Sequence, residues 1–443
     1  MKEKEFLPLI ERRLGITQLN PMQRRMMEAA SEKRDIILLS PTGTGKTLAF
    51  SLPMLKIMRP TTGRVQAIVI APSRELVLQT AGVLREIAAG LKVTPLYGGH
   101  KVEDELNSLK AGTDIIVATP GRLLDHIRRR NIDVLPTRLC ILDEFDKSLE
   151  LGFEDDMKHI FERLKNLSRI ILTSATDATP IPSFVKLDNP LRLSFSGETK
   201  AVRSRQRIHK VESDSRDKLQ SLLTLLRNLS AESPVGKSII FVNHRESAER
   251  IHTFLTDNNA DSTLYHGGLD QIDREKAVAM FNNASRPLLV ATDLAARGLD
   301  IAAVENIIHY HQPLQEETYT HRNGRTARID RDGDIFVLIA PGEDTAPFIN
   351  FDDTFHVDTN LSGNLKTDMQ TLYISSGKKE KISRGDILGF LTSQEGIEGN
   401  HIGKIDVYDH YSLVAIHSTD AAALLAKGRN FRIKGSNRRI QKA

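Results

Sequence analysis

The chain has little that would tie it to an oxidising compartment or to a membrane. A single cysteine among 443 residues, Cys140, excludes an intrachain disulfide. No apolar run approaches the ~20 residues that a membrane-spanning helix needs. The first residues also lack the apolar core of a signal peptide. We therefore expect a cytoplasmic protein with no membrane partner.

Net charge is also small, because 61 Lys and Arg residues are opposed by 57 Asp and Glu residues, a balance of +4. Apolar residues make up 40% of the chain and charged residues 27%, which indicates a globular protein and excludes a disordered one. Neither an internal repeat nor a low-complexity tract is present. The length exceeds what one ordinary hydrophobic core supports, so about three domains are expected.

The most informative stretch lies between a predicted strand at 35–39 and a predicted helix that begins near Leu48. It reads Ser40, Pro41, Thr42, Gly43, Thr44, Gly45, Lys46, Thr47. A strand, a glycine-rich turn and a helix N-terminus together direct backbone N–H groups at a phosphate. In such a loop Lys46 reaches the β- and γ-phosphates and the Thr47 hydroxyl holds Mg²⁺. The pattern predicts a nucleoside triphosphate site, although Ser40 stands where the general pattern has glycine.

Short apolar runs alternate with helical stretches from residue 35 onward, which predicts parallel sheets covered on both faces. A polar stretch at 194–204 interrupts the alternation, which then restarts without a second phosphate loop. A smaller β-α-β-β-α-β unit of the RRM type follows. The expected fold class is α/β, with two tandem parallel-sheet domains and a small C-terminal α+β domain. The expected boundaries are 1–198, 205–345, a linker at 346–367, and 368–443.

Polar clusters follow the ends of the predicted strands, where parallel sheets collect their working residues. An acidic pair, Asp143 and Glu144, follows an apolar strand in the sheet that carries the phosphate loop. We predict that Asp143 faces Mg²⁺ and that Glu144 orients the attacking water. Three further strand ends, at 72–76, 97–99 and 119–122, offer groups suited to a nucleic-acid backbone.

Arginines are concentrated in the second predicted domain, where Arg322, Arg325 and Arg328 lie within eight residues of one another. Guanidinium groups match phosphate oxygens well. Arginine fingers accelerate phosphoryl transfer by ~10³–10⁵ where they have been measured. We predict such a role for this cluster, the alternative being a solvated helix end.

Together these motifs resemble those of the DEAD-box RNA helicases of superfamily 2, over residues 6–345. Residues 368–443 resemble the RNA-binding domain of the DbpA subgroup. The resemblance implies two RecA-like domains, a ferredoxin-like C-terminal domain, ATP and Mg²⁺ as cofactors, and RNA-dependent ATP hydrolysis. Two positions depart from the family pattern: Phe145 replaces the alanine of the Asp-Glu-Ala-Asp motif, and Asn323 replaces an apolar residue of the arginine motif.

The resemblance also implies roles for individual residues. Phe6 and Gln23 match the residues that recognise adenine, although Asn20 stands where Thr or Ser is common. The implied catalytic set comprises Lys46, Asp143, Glu144, Arg325 and Arg328, with Thr47 and Asp143 as metal ligands. ATP contacts are implied for residues 40–47, Gly298 and Asp300. RNA contacts are implied for Arg74, Gly99, Thr119, Arg122, Gln271, Arg274, Thr292, Asp293, Lys378 and Lys379.

The implied function is local, ATP-driven unwinding of RNA duplexes by a monomer. ATP and single-stranded RNA would bring the two helicase domains together and carry the arginines to the γ-phosphate. Two alternatives remain: an ATP-dependent RNA clamp or scaffold that does not unwind productively, and a processive translocase.

The C-terminal unit implies a target, a ribosomal RNA hairpin in pre-ribosomal particles, and hence a role in large-subunit assembly. Its last strand is expected at 430–434 with a basic tail beyond it. Residues 427–443 include seven Lys or Arg residues. With Lys378 and Lys379 they predict a grip on RNA governed by charge rather than by aromatic stacking. The alternative is a purely structural appendage.

Overall fold

The computed structural model describes residues 3–41, 43–99, 102–175, 180–195, 204–231, 234, 236–296, 301, 304–327, 332–394 and 396–443. The chain divides into two compact units between residues 203 and 204. None of the helices in these ranges has the length and apolar character needed to cross a bilayer.

The first unit is built on a parallel sheet of seven strands in the order β3-β4-β2-β5-β6-β1-β7. The strands are β1 Ile36–Leu39, β2 Ala67–Ile70, β3 Val93–Leu96, β4 Ile115–Ala118, β5 Leu139–Leu142, β6 Arg169–Ser174 and β7 Leu191–Ser194. The helices are α1 Glu3–Leu14, α2 Pro21–Ala29, α3 Lys46–Ile57, α4 Arg74–Ile87, α5 Val102–Lys110, α6 Pro120–Arg128, α7 Phe145–Glu150 and α8 Glu154–Phe161. The sequence pattern did not predict β7, which pairs with β1.

Burial explains why the strands β1, β2, β4 and β5 of this sheet are apolar at every position. In β2, Ala67 and Val69 belong to one hydrophobic cluster, whereas Ile68 and Ile70 belong to another. Successive side chains of a strand point to opposite faces, so helices cover both sides of the sheet. The continuous apolar runs in the sequence are the direct consequence.

The second unit contains a similar parallel sheet of seven strands in the order β10-β11-β9-β12-β13-β8-β14. Its strands are β8 Gln206–Glu212, β9 Ser238–Phe241, β10 Ser262–Tyr265, β11 Leu288–Ala291, β12 Asn306–His309, β13 Gly333–Ile339 and β14 Asp353–Thr354. Its helices are α9 Leu219–Leu229, α10 Arg245–Asp257, α11 Gln271–Asn282 and α12 Glu316–Asn323.

The segment 346–367 is packed on this second sheet. It contributes β14, which pairs with β8. Leu365 is 4% exposed and belongs to the hydrophobic cluster of the sheet. The Thr367 N–H donates to Asp261 Oδ2 at 2.7 Å, and the Asp261 N–H donates to the Leu365 carbonyl at 2.9 Å. The chain is therefore held to the sheet up to the point where the C-terminal strands begin.

The second unit also contains an antiparallel sheet of five strands in the order β16-β17-β15-β19-β18. These are β15 Met369–Ile374, β16 Ile402–Val407, β17 Ser412–His417, β18 Asn430–Ile433 and β19 Ser436–Lys442, with helices α13 Arg384–Thr392 and α14 Ser418–Ala426. The β-α-β-β-α-β order is present as predicted. The basic tail, however, returns as a fifth strand, β19, between β15 and β18.

A two-residue turn explains this return. Lys434 and Gly435 have φ of 51° and 79°, the left-handed values that tight hairpins require at both central positions. In β19 the Ile440 side chain is fully buried, whereas the basic residues beside it lie at or near the surface. Because β19 has so few apolar residues, its sequence lacks the pattern typical of a strand, and for that reason we expected a basic tail here.

Ending the chain after Ile433 should therefore unfold the C-terminal sheet rather than trim a flexible tail. Removing β19 leaves β15 and β18 without their shared neighbour and exposes the cluster that Ile440 helps to fill. Circular dichroism and limited proteolysis of the full chain ended at residue 433 should show this loss. The matched control, Arg438→Gln with Arg439→Gln, should keep the fold because it removes charge without removing the strand.

Candidate nucleotide and RNA sites

The phosphate loop has the geometry that its sequence predicts. Gly43 and Gly45 adopt φ of 80° and 87°, and α3 begins at Lys46. Lys46 is buried, and its Nζ donates to the Ser40 carbonyl at 2.7 Å, so the ammonium group lies inside the loop. Ser40 Oγ lies 2.8 Å from Thr44 Oγ1, so the serine adds a hydrogen bond across the loop. Thr42 lies outside the described residues.

Helix α2 is tied to this loop through its N-terminus. Asn20 Oδ1 accepts from the Gln23 N–H at 2.8 Å, and Gln23 Oε1 accepts from the Asn20 N–H at 3.0 Å, which forms a capping box. Asn20 Nδ2 also donates to the Thr44 carbonyl at 2.9 Å. Gln23 Nε2 donates to the Gly45 carbonyl at 3.4 Å. Asn20 therefore works both as a helix cap and as a support of the loop.

Phe6 lies in the hydrophobic cluster of the first unit, with 1% of its surface exposed. In this position it packs α1 onto the rest of the unit. Its contact with adenine stays a prediction.

The acidic pair is organised by a residue that the sequence pattern did not single out, Thr173 on β6. Its hydroxyl donates to Asp143 Oδ1 at 2.7 Å and accepts from the Glu144 N–H at 3.1 Å. Glu144 has φ of 47°, an unusual value for a residue other than glycine, and this turn directs the chain into α7. Thr173 thus holds the Asp143 carboxylate and the main chain of Glu144 at once.

Burial raises the pKa of Asp143 to about 6, and the nearby charge of Glu144 adds to the rise. The Thr173 hydrogen bond and the positive charge of Lys46 act in the opposite direction. A buried carboxylate with these neighbours is stabilised in its ionised form by an added cation.

The oxygen ligands at this site suit a Mg²⁺ ion that is bound partly by the protein and partly by the phosphates of a nucleotide. Within the described ranges no cluster of three or more His, Cys, Asp or Glu side chains could hold a metal ion alone. Mg²⁺ is commonly bound by one or two carboxylates together with substrate phosphates and water. Asp143 and the Thr47 hydroxyl, in the first turn of α3, would supply the protein ligands.

Phe145 replaces alanine in the acidic motif, and it points into the core. Only 1% of its surface is exposed, and it belongs to the hydrophobic cluster on one face of the sheet. The contact with the loop after β6 is made by its neighbour: the Ala175 N–H donates to Asp146 Oδ2 at 3.1 Å. The acidic motif and that loop are therefore joined by a hydrogen bond through Asp146.

Two predicted RNA contacts of the first unit, Arg74 and Gly99, lie together. A side chain at Gly99 would place its Cβ 2.8 Å from Arg74 Cζ, and Gly99 has φ of 94°. The glycine therefore leaves room for the guanidinium group. Arg74 is the first residue of α4, which Ser73 caps by accepting from the Leu76 N–H at 3.2 Å.

Arg122 is oriented by a buried carboxylate that sequence reasoning missed, Glu105. Arg122 Nε donates to Glu105 Oε2 at 2.6 Å. The same carboxylate binds His126 Nε2 at 2.8 Å and accepts from the Tyr97 N–H at 3.0 Å. Thr119 precedes α6 and is half-buried. No local pattern connects Glu105 with Arg122, since 17 residues separate them.

In the second unit Arg322 is fully buried and serves the fold. Its Nε donates to Asp293 Oδ1 at 2.6 Å, its Nη1 to the His311 carbonyl at 2.9 Å, and its Nη2 to Asn243 Oδ1 at 2.8 Å. The guanidinium group also lies 5.2 Å from the centroid of the Phe241 ring. Asp293, predicted as an RNA contact, thus holds Arg322 with one carboxylate oxygen.

Asn323, the second departure from the family pattern, is buried and hydrogen-bonded. Its Oδ1 lies 2.8 Å from His309 Nε2. Burial lowers the pKa of His309 to about 3, and the charge of Arg322 adds to this effect. A neutral His309 protonated on Nε2 donates to Asn323 and leaves Nδ1 as an acceptor, 3.4 Å from Arg322 Nη1.

Arg325 is half-buried in the turn after α12. Its N–H donates to the Arg322 carbonyl at 3.2 Å, and its own carbonyl accepts from the Val304 N–H at 3.0 Å, so its backbone is fixed. Thr292 follows β11 and donates its N–H to the Tyr265 carbonyl at 3.2 Å. Three other predicted site residues lie outside the described residues: Gly298, Asp300 and Arg328.

Helix α11 carries the predicted RNA contacts Gln271 and Arg274, both half-buried. In the C-terminal sheet Lys378 and Lys379 are exposed. Their backbone N–H groups donate to the carbonyls of Tyr408 and Asp409 at 2.8 and 2.9 Å. The main chain of this loop is therefore held in place while both lysine side chains reach solvent.

Comparisons with known families agree with this geometry. The DEAD/DEAH box helicase family matches residues 20–181, the helicase conserved C-terminal domain matches 217–330, and the DbpA RNA binding domain matches 371–442. The ATP-dependent RNA helicase DbpA of Escherichia coli is 32% identical to this chain, over 97% of this chain and 95% of its own length. The chain belongs to the DEAD-box RNA helicases.

Other DEAD-box proteins match over the helicase part. RhpA of Helicobacter pylori is 35% identical over 74% of this chain, which spans 66% of the length of RhpA. Dbp5 of S. cerevisiae, solved with RNA and ADP BeF3, gives a TM-score of 0.64 at 26% identity, over 76% of this chain and 88% of Dbp5. Mss116p gives 0.68 at 22% identity, over 88% and 83%, and shows the fold alone. The predicted class, two RecA-like domains with a small C-terminal domain, is confirmed.

The burial of Arg322 gives a test that separates it from its neighbours in the arginine motif. Arg322→Ala should destabilise the second unit by about 3 kcal/mol, because it removes the hydrogen-bond partner of Asp293 and Asn243 and leaves a cavity. Thermal unfolding should show a midpoint lowered by about 5 °C or more. The control Arg245→Ala removes an arginine of α10 that is 64% exposed, and should leave the midpoint unchanged. Equal midpoints for both variants would contradict a structural role for Arg322.

Proposed function

We propose that this DEAD-box protein couples RNA-dependent ATP hydrolysis to the local separation of short RNA duplexes, with ATP and Mg²⁺ as cofactors. The observation that carries the proposal is the grouping of Lys46, Asp143 and Glu144 in the first unit. The buried Lys46 is close enough to Asp143 for its charge to oppose the rise in the carboxyl pKa that burial causes. An ammonium group, a metal-binding carboxylate and a second carboxylate are the groups that phosphoryl transfer to water requires.

Each of these residues has a separate part in hydrolysis. Lys46 holds the β- and γ-phosphates. Glu144, whose backbone N–H is held by Thr173, orients a water whose oxygen bonds to the γ-phosphorus as the bond to the bridging oxygen breaks. Thr47 and Asp143 would hold Mg²⁺, which when bound would neutralise charge on the phosphates. Arg325 and Arg328 stabilise the charge that develops in the transition state.

RNA is held through its backbone by the helicase domains, at 1–198 and 205–345. In the first domain, the Arg74 guanidinium beside Gly99 and the oriented Arg122 near Thr119 suit phosphate oxygens. In the second domain, Gln271, Arg274, Thr292 and Asp293 complete the contacts. Such contacts read shape and 2′-hydroxyl groups rather than sequence.

The C-terminal domain, at 368–443 beyond the segment 346–367, selects the target. Exposed Lys378 and Lys379 and the basic strands β18 and β19 support binding to both single-stranded and duplex RNA by charge. We infer a ribosomal RNA hairpin as the target from the resemblance of this domain to the DbpA subgroup, whose RNA binding domain matches residues 371–442. On this proposal the protein acts as a cytoplasmic monomer on pre-ribosomal particles during large-subunit assembly.

The proposal requires that hydrolysis depend on RNA and on Glu144. Phosphate release by the full chain should rise at least tenfold with added RNA. It should fall by about 10² or more in Glu144→Gln and in Arg325→Ala, since each removes a group that acts in the transition state. Glu144→Gln should still bind ATP and RNA. Equal turnover with and without RNA, or a fully active Arg325→Ala, would rule out this mechanism, and normal hydrolysis without strand separation would favour a clamp.

The affinity of the C-terminal domain for RNA should fall as the salt concentration rises. Lys378→Ala with Lys379→Ala should weaken binding to hairpin RNA and reduce the slope of log K against log salt by about 1.4–1.8, or 0.7–0.9 per lost phosphate contact. Fluorescence anisotropy across several salt concentrations measures both quantities. The control Lys158→Ala, an exposed lysine of α8, should change neither. An unchanged slope in the double variant would show that these lysines do not meet phosphate.

A further inference from the structure

Three tyrosines on one side of the C-terminal sheet form a stack. The ring centroids of Tyr408 and Tyr411 are 4.6 Å apart with planes at 15°, and those of Tyr373 and Tyr411 are 5.5 Å apart with planes at 20°. Aromatic rings on an RRM-type sheet commonly stack RNA bases. Here Tyr411 is only 7% exposed and lies in a hydrophobic cluster with Ala279 of α11. Helix α11 of the same unit thus covers Tyr411.

Polar contacts fix how α11 lies on the tyrosines. The Tyr411 hydroxyl donates to Glu275 Oε2 at 2.5 Å. Lys276 Nζ lies 5.5 Å from the centroid of the Tyr373 ring, a cation–π contact. Beyond the end of the helix, Asn283 Nδ2 donates to Thr371 Oγ1 on β15 at 2.9 Å. Hydrogen bonds and an apolar contact therefore act along the length of α11.

Glu275 connects the C-terminal sheet to a predicted RNA contact. While Oε2 accepts from Tyr411, Oε1 accepts from Gln271 Nε2 at 3.1 Å, one helical turn away. A carboxylate only accepts hydrogen bonds, so the NH₂ group of the Gln271 amide must face Glu275. The amide oxygen of Gln271 then points away from Glu275, and it is a buried acceptor with no hydrogen-bond partner within the described ranges.

The chemistry of that amide oxygen indicates what it would bind. A carbonyl oxygen accepts from a donor, and phosphate oxygens of nucleic acid offer none. The RNA 2′-hydroxyl is a donor on the backbone. Burial raises the pKa of Tyr411, and the hydrogen bond to Glu275 adds to the rise, so the phenol stays protonated and keeps donating at neutral pH.

We propose that Tyr411 and Glu275 are positioning residues, which hold the Gln271 amide in the orientation that accepts a 2′-hydroxyl. The docked C-terminal domain thereby raises the RNA affinity of the helicase domain, besides binding RNA itself. This inference rests on the proposed RNA contact at Gln271. Without Tyr411 the Glu275 side chain loses one of its two partners, and the amide is free to rotate.

The test uses the full chain and an unstructured RNA oligonucleotide too short to form a hairpin. Tyr411→Phe keeps the ring stack and removes one hydroxyl. It should raise the KM for RNA in the ATPase assay about fivefold, which is the effect of losing the neutral hydrogen bond between the Gln271 amide and an RNA 2′-hydroxyl. The kcat at saturating RNA and the turnover without RNA should stay unchanged. Tyr373→Phe is the matched control: it removes a hydroxyl from the same stack but leaves the Glu275 contact, and its KM should stay at the wild-type value.

Two further variants separate the possible failures. Gln271→Ala should raise the KM for RNA, and adding Tyr411→Phe to it should have no further effect. If Gln271→Ala leaves the KM unchanged, the RNA contact is wrong and the inference falls with it, while the ATPase proposal stands. If Gln271→Ala raises the KM and Tyr411→Phe does not, or if Tyr411→Phe acts equally in both backgrounds, the positioning role alone is overturned. Glu275→Gln, which keeps the shape of the side chain, should reproduce Tyr411→Phe.

Discussion

A charge that leaves water costs several kcal/mol unless hydrogen bonds or an opposite charge replace the lost hydration. The rest of the molecule depends on meeting this constraint, and three buried charges show how. Lys46 is held by the Ser40 carbonyl, Asp143 by Thr173, and Arg322 by a ring of acceptors. In each case the partner lies at or just beyond the carboxyl end of a strand. Parallel strands end together, so the fold brings these partners within reach and the site inherits its position from the sheet.

Local sequence patterns predicted the parts of the fold and the site in which the interacting groups are neighbours in sequence. The phosphate loop, the acidic pair and the alternation of strands and helices could be predicted because short stretches determine them. Thr173 and Glu105 could not, since each meets its partner only after the sheet has formed. Strand β19 was hidden for another reason: it buries Ile440 while its basic residues lie at or near the surface, so it resembles a tail.

In the arginine motif the residue type alone does not show which arginine serves the fold. The sequence does not distinguish Arg322 from Arg325, since both are arginines of one motif. In the structure Arg322 is enclosed by hydrogen-bond acceptors, whereas Arg325 lies in a turn. Only burial distinguishes the structural guanidinium group of Arg322 from that of Arg325, which is half-buried. The same holds for Asn323, which looked like a departure from the family. It pairs with His309, whose pKa is lowered by burial, and a neutral histidine needs an acceptor of this kind.

The covered tyrosines explain how an RRM-type sheet can serve RNA without stacking bases on that part of its surface. With segment 346–367 packed on the helicase sheet and the tyrosines packed on α11, the C-terminal domain has a fixed orientation on its neighbour. A flexible tether would raise the local concentration of RNA but would lose conformational entropy on each binding event. A docked domain has already lost that entropy in folding. On the inference drawn above, RNA held by the basic residues of this domain would then contact a Gln271 amide that Tyr411 and Glu275 have already oriented.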